Sequence, residues 1–216
     1  MAVRIPMDET VYLNLPPVGL SKEDYKFMDQ LYLTHPDQLE YRTYKYPTAN
    51  RFTYHSKDVP IDVWDDDADF LTIDNFYDLL PESIIDKFKN YFTDEFYAIS
   101  CNPAWRGTRL YLNKPNAYGV HIHKDIYSGG GIPRQVTINI PVSANSMTSD
   151  LNFFDDELEP LATIQYQYDT PTVLNTTMFH GVKHHDHSDI RKIITISTAL
   201  SYSEFEQMLA EGRVTR

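Results

Sequence analysis

A mainly β fold is what this sequence predicts: a double-layered jelly-roll barrel with flanking helices, built as one domain. Three observations predict it. From about residue 96, short alternating segments broken by turn residues recur over 107–113, 118–125, 134–142, 149–155, 161–168, 171–177, 178–184 and 190–198. That number of strands suits a two-sheet barrel. The residues before them carry helical periodicity instead, and no Ser/Gly linker divides the 216-residue chain.

The first helix is expected to open at Ser21, with Asp24 three residues on and Tyr25, Met28, Leu31 and Tyr32 repeating at helical spacing. A second runs from about Pro81, where Ile84, Ile85, Phe88, Tyr91 and Phe92 make one apolar stripe. Both are read as braces for a sheet. The expected layout is a helical or irregular extension over 1–95 packed on the core, a β core over 96–200, and a C-terminal helix or tail over 201–216.

Two strands are especially legible, because side chains alternate between the faces of a sheet. In 136–142 the even positions Val136, Ile138, Ile140 and Val142 are apolar, while Thr137, Asn139 and Pro141 share the other face. In 191–197 the odd positions carry Arg191, Thr195 and Ser197, and Lys192 alone breaks the apolar even face. A barrel with a polar interior needs such strands.

Composition excludes several function classes. Hydrophobic residues make up 42% and aromatics 13%, with 16 Tyr, so the chain folds rather than staying disordered. A net charge of −12 repels phosphate backbones, and no Lys/Arg cluster offsets it, which argues against a nucleic-acid partner. The N-terminal residues lack the apolar core of a secretory signal, and no run of about 18 apolar residues is present to span a bilayer. The expectation is a soluble, cytoplasmic protein with no membrane partner. The single Cys101 rules out an internal disulfide and Cys-rich metal sites, and it is read as an inert thiol.

The chemistry is carried by His121-Ile122-His123-Lys124-Asp125, followed 55 residues after Asp125 by His180 and 11 further on by Arg191. Two imidazoles and one carboxylate hold Fe(II) on one face and leave positions open for substrate and O2. His123 and Asp125 have the two-residue spacing that points both to one face of a strand. His121 has the same relation to His123 and is an alternative ligand, although the His-x-Asp spacing favours His123; it is otherwise read as lining the substrate side or bonding behind the ligands. Gly129-Gly130-Gly131 is read as a mobile loop at the pocket mouth rather than a phosphate cradle, since no Lys-Ser/Thr follows it. The acidic run Asp65-Asp66-Asp67 with Asp69 lacks the Gly and terminal Glu of a calcium loop. The cluster His184, His185 and His187 is read as a solvated loop.

His123-Lys124-Asp125, His180 and Arg191, in that order within a β-rich region, resemble the 2-oxoglutarate- and Fe(II)-dependent oxygenase superfamily over roughly residues 105–200. Within it the region looks most like the prolyl-4-hydroxylase-like and aspartyl/asparaginyl-hydroxylase-like branches. The resemblance implies a double-stranded β-helix (jelly-roll, cupin-like) core, with Fe(II) held by His123, Asp125 and His180. It implies 2-oxoglutarate as co-substrate, its far carboxylate on Arg191, with Asn139, Tyr111, Asn113 and Thr195 as further pocket contacts. It implies consumption of O2, release of succinate and CO2, and hydroxylation of a substrate, with a lean to a protein or peptide side chain over a small molecule. Three departures stand out: Ile193 where many members carry Ser or Thr two after the basic residue, no Gly-Gly strand at 149–154, and Ser197 where nucleic-acid demethylases of the superfamily carry a second Arg. The competing readings are a non-catalytic β-barrel scaffold with a vestigial metal site, and a cupin-type dioxygenase that needs no co-substrate.

Overall fold

The structure is a computed structural model and describes residues 11–43, 69–101, 108–113, 119–125, 135–185 and 190–216. The segment 129–131, the acidic residues 65–67 and His187 lie outside them. In chain order the elements are β1 (Tyr12–Asn14), α1 (Lys22–Thr34), β2 (Glu40–Thr43), β3 (Asp69–Asp74), α2 (Glu82–Tyr91), the short α3 (Asp94–Phe96), β4 (Thr108–Asn113), β5 (Gly119–His123) and β6 (Val136–Pro141). There follow α4 (Ala144–Thr148), β7 (Asp150–Phe154), β8 (Pro160–Gln165), β9 (Thr172–Asn175), β10 (Phe179–Lys183), β11 (Arg191–Ser197) and α5 (Tyr202–Ala210). The strands form two antiparallel sheets, a larger one in the order β1-β9-β6-β11-β4-β3-β2 and a smaller one in the order β5-β10-β7-β8.

From β4 onward the chain passes back and forth between the sheets, so that β4, β11, β6 and β9 face β5, β10, β7 and β8. This is a double-stranded β-helix, the jelly-roll class the strand pattern predicts. The eight observed strands fall on the eight expected segments, with β8 starting one residue earlier. Three strands are additional: β1, β2 and β3 come from the N-terminal region that reads as helical or irregular, and they extend the larger sheet at both edges. Their pairings with β9 and β4 span long sequence distances, which local periodicity does not encode.

The helices start where capping chemistry directs. Ser21 accepts from the backbone of Asp24 while Asp24 reaches back to the Ser21 N–H, a complete capping box. Pro81 sits one position outside the helix, as the N-cap of α2, rather than within its first turn. Ser201 and Glu204 form a second capping box on α5. Their buried faces, Tyr25, Met28 and Leu31, then Ile84, Phe88 and Tyr91, then Phe205 and Met208, join one core with Leu110, Leu112, Ile138, Ile140, Ile194 and Ile196 of the larger sheet. Each such side chain contributes about 1.5–3 kcal/mol by leaving water. The opposite, inward face of that sheet meets the smaller sheet in a second cluster of Leu151, Phe153, Tyr166, Leu174, Val182 and Ile193. Even and odd positions of β6 and β11 are thus sorted between helices and barrel interior, as their alternation predicts.

Lys192, the polar interruption of that even face, is buried under α1, with its Nζ 2.6 Å from Asp29 Oδ1 and 4.9 Å from the ring centroid of Tyr32. A buried ammonium that loses its carboxylate is worse placed than a neutral chain of similar length. Asp29→Ala is therefore expected to cost about 1–3 kcal/mol, and Lys192→Met less, under about 1.5 kcal/mol. Urea unfolding checks this, and the reverse order would show that the pair does not act as a unit. Cys101 is buried, and burial pushes its thiol well above the ordinary range, which suits an inert role. Among the described residues no helix is long and apolar enough to cross a membrane.

Candidate active site

His123 ends β5 directly opposite His180 of β10, and His180 in turn lies opposite Phe153 of β7. Directly opposed residues of antiparallel strands have Cα atoms only about 4.5–5.5 Å apart. The structure describes the backbone of His121, His123 and Asn113 and not their side chains. Between the partners of His180 and Val182, β5 carries one residue more than β10, a bulge that takes in His121 and Ile122. Strict alternation from His123 back to His121 therefore does not run through this strand.

The His180 side chain is buried beside Phe153, with ring centroids 6.3 Å apart. Its Nδ1 lies 3.0 Å from the carbonyl oxygen of Met178. A carbonyl only accepts, so Nδ1 carries a proton, and in the neutral ring this places the lone pair on Nε2, the tautomer that binds a divalent metal through Nε2. Asp125, half-buried just past β5, donates its backbone N–H to the Thr176 carbonyl at 3.1 Å. Thr176 and Met178 belong to the same β9–β10 turn. Among the described side chains, which exclude that of His123, no three His, Cys, Asp or Glu residues form a cluster.

Arg191 opens β11 opposite Asn113, and both Ile193 with Tyr111 and Thr195 with Asn139 are opposed pairs further along. The Arg191 side chain is buried, and its guanidinium carbon stands 5.9 Å from the ring centroid of Tyr166. Asn139 donates from Nδ2 to the Tyr166 hydroxyl at 2.8 Å and accepts from the Thr195 hydroxyl at 2.9 Å. Burial lowers the Arg191 pKa from its ordinary value and raises that of Tyr166, while Arg191 and Asn139 draw the phenol back. A guanidinium, a phenol, an amide and a hydroxyl thus line one inward face. The guanidinium matches a planar carboxylate, to which Arg offers a bidentate, charge-assisted fork, while the amide and hydroxyl donate within the group.

Tyr166 is the member of this group that sequence reasoning missed. It follows Ala162 and Ile164 at even spacing, which marks its inward face, but no motif connects it with Arg191. Tyr111 is half-buried on β4. His184 is buried rather than solvated, whereas His185 is exposed and bonds through Nε2 to Asp150 at 2.6 Å. Asp150 lies opposite Lys183, at the end of β10 away from His180.

Two antiparallel sheets with this strand order define a double-stranded β-helix, the jelly-roll class. No protein-family model and no curated protein matches the chain. Among solved structures it is similar to an oxidoreductase of the 2OG-Fe(II) oxygenase family from Burkholderia pseudomallei, at 14% identity over 90% of this chain and 88% of that one, with a TM-score of 0.52. It is also similar to the non-heme alpha ketoglutarate dependent epimerase SnoN from nogalamycin biosynthesis, at 9% identity over 88% of this chain and 78% of that one, with a TM-score of 0.51. The carbocyclase SnoK from the same biosynthesis aligns at 8% identity over 88% and 80%, with a TM-score of 0.50. At these identities the likeness is one of fold.

Proposed function

We propose that the protein is a 2-oxoglutarate- and Fe(II)-dependent oxygenase, with His123, Asp125 and His180 as the iron ligands and Arg191 as the anchor for the far carboxylate of 2-oxoglutarate. The observation that carries this reading is the Met178 carbonyl at His180 Nδ1, which in the neutral ring puts the lone pair on Nε2, on the strand directly paired with His123. Two imidazoles and a carboxylate with open positions fit Fe(II) better than the closed tetrahedral sites of structural zinc. Iron held by His123, Asp125 and His180 would supply O2 activation coupled to oxidative decarboxylation of 2-oxoglutarate to succinate and CO2, with oxidation of a substrate C–H bond.

The protein's own part is positional. Asp125 and His180 are oriented by backbone carbonyls, and Arg191, supported by the Tyr166–Asn139–Thr195 chain of hydrogen bonds, fixes the co-substrate's direction in the barrel. Tyr111 and Asn113 are assigned to the neighbouring rim of that pocket, because their backbones pair with Ile193 and Arg191. Leu151, Phe153 and Val182 keep the interior apolar around it, which strengthens each charged contact. Hydroxylation of a peptide, protein or small molecule is the proposed outcome. Around the 96–200 core, β1, β2 and β3 widen the larger sheet and α5 packs against it.

The test is anaerobic titration of the Fe(II)-loaded protein with 2-oxoglutarate, read by the visible charge-transfer band of the chelate. The band is expected, and succinate is expected to form when O2 is admitted. Iron binding without the band would favour the non-catalytic barrel. Uptake of O2 without succinate would instead favour a cupin-type dioxygenase.

A further inference from the structure

We propose that Asn175 is a positioning residue for the iron site, holding the β9–β10 turn so that two carbonyls of that turn orient Asp125 and His180 together. The inference rests on the reading of these residues as ligands given above. The Thr176 carbonyl accepts the Asp125 N–H at 3.1 Å, and the Met178 carbonyl accepts the His180 Nδ1 proton at 3.0 Å. Both proposed ligands therefore hang from one four-residue turn. A rotation of the peptide units within it shifts the Asp125 backbone, from which the carboxylate projects, and the His180 imidazole at the same time.

The Asn175 side chain is what grips the inside of that turn. Its Oδ1 accepts from the Thr177 N–H at 3.2 Å and from the Thr177 hydroxyl at 2.6 Å, while its backbone carbonyl accepts from Met178 N–H at 3.2 Å. An Asn side chain bonded to the backbone two residues on mimics a backbone turn and holds its peptide planes. The outer side is anchored separately, by Asn175 N–H on the Val11 carbonyl at 3.1 Å and Thr176 N–H on the Gln135 carbonyl at 2.9 Å. The ends of the turn are thus anchored independently of the side chain, whose bonds act on Thr177, between the two carbonyls. If the Met178 carbonyl turns away, the His180 proton is no longer held on Nδ1, and the Nε2–H tautomer cannot bind a metal through Nε2.

The experiment uses the full chain and Mn(II) as the probe, with affinity read by calorimetric titration and the His180 tautomer read by nitrogen-15 imidazole NMR of the metal-free protein. Asn175→Ala is expected to raise the Mn(II) dissociation constant by about 10–100-fold and to reduce the Nδ1–H form of His180. Thr177→Val, which removes only the hydroxyl donor, is expected to give a rise of roughly 3-fold or more, and Thr177→Ser to restore wild-type values. Should Asn175→Ala fail to fold, the Thr177 pair decides. If the wild type binds Mn(II), His180→Ala does not, and Asn175→Ala and Thr177→Val keep wild-type affinity and tautomer, the positioning role is overturned while the iron site stands. If the wild type does not bind Mn(II), or His180→Ala binds it equally well, the iron site and this role fall together.

Discussion

Asp125→Ala is expected to abolish Fe(II)-dependent conversion of 2-oxoglutarate to succinate while the fold persists. Removing a ligand weakens metal binding by more than the roughly 10–100-fold that follows loss of a supporting hydrogen bond. The fold is expected to survive because Asp125 is only half-buried and the bond it gives the β9–β10 turn comes from its backbone N–H, which Ala retains. Unfolding stability within about 1 kcal/mol of wild type is the matching expectation. His180→Ala is expected to be equally inactive but less stable, because it opens space beside Phe153 in the barrel. Succinate assays and urea unfolding on the two variants check both statements. Undiminished turnover in Asp125→Ala would remove that residue from the site.

Arg191→Ala is expected to weaken 2-oxoglutarate binding while leaving Mn(II) affinity near wild type. Truncating one partner of a buried, hydrogen-bonded charge pair costs about 2–5 kcal/mol, which is roughly 30-fold to a few thousand-fold in the dissociation constant. Arg191→Lys is expected to recover part of this loss, since the charge remains but the planar fork does not. Tyr166→Phe removes one hydroxyl from the same face and is expected to cost about 0.5–1.5 kcal/mol. A titration of each Mn(II)-loaded variant with 2-oxoglutarate separates the cases. Equal co-substrate affinity in wild type and Arg191→Ala would place the anchor elsewhere.

Much of the barrel is written locally. The alternation in 136–142 and 191–197 sorts Ile138, Ile140, Ile194 and Ile196 toward the helices and Asn139, Arg191 and Thr195 toward the interior, and the folded strands follow that sorting. Ser21 with Asp24 marks the start of α1 because capping is satisfied within four residues. The two-residue spacing of His123 and Asp125 is local as well, but β5 ends at His123 and Asp125 lies just past it, so strand alternation does not set the face of Asp125. Lys192 reads as an exception on an apolar face, and its partner Asp29 is 163 residues away, so the pair itself does not.

What the sequence by itself determined, then, is the jelly-roll class, the two bracing helices and the spacing of the residues proposed as ligands, because strand alternation, capping and short spacing are local properties of a chain. Only the tertiary structure decided that β1, β2 and β3 join the larger sheet, that β5 bulges at His121, that Tyr166 stands over Arg191, and that one turn serves Asp125 and His180 together. Each of these depends on strand register and on backbone groups of distant segments, and a carbonyl such as that of Met178 has no signature in residue type.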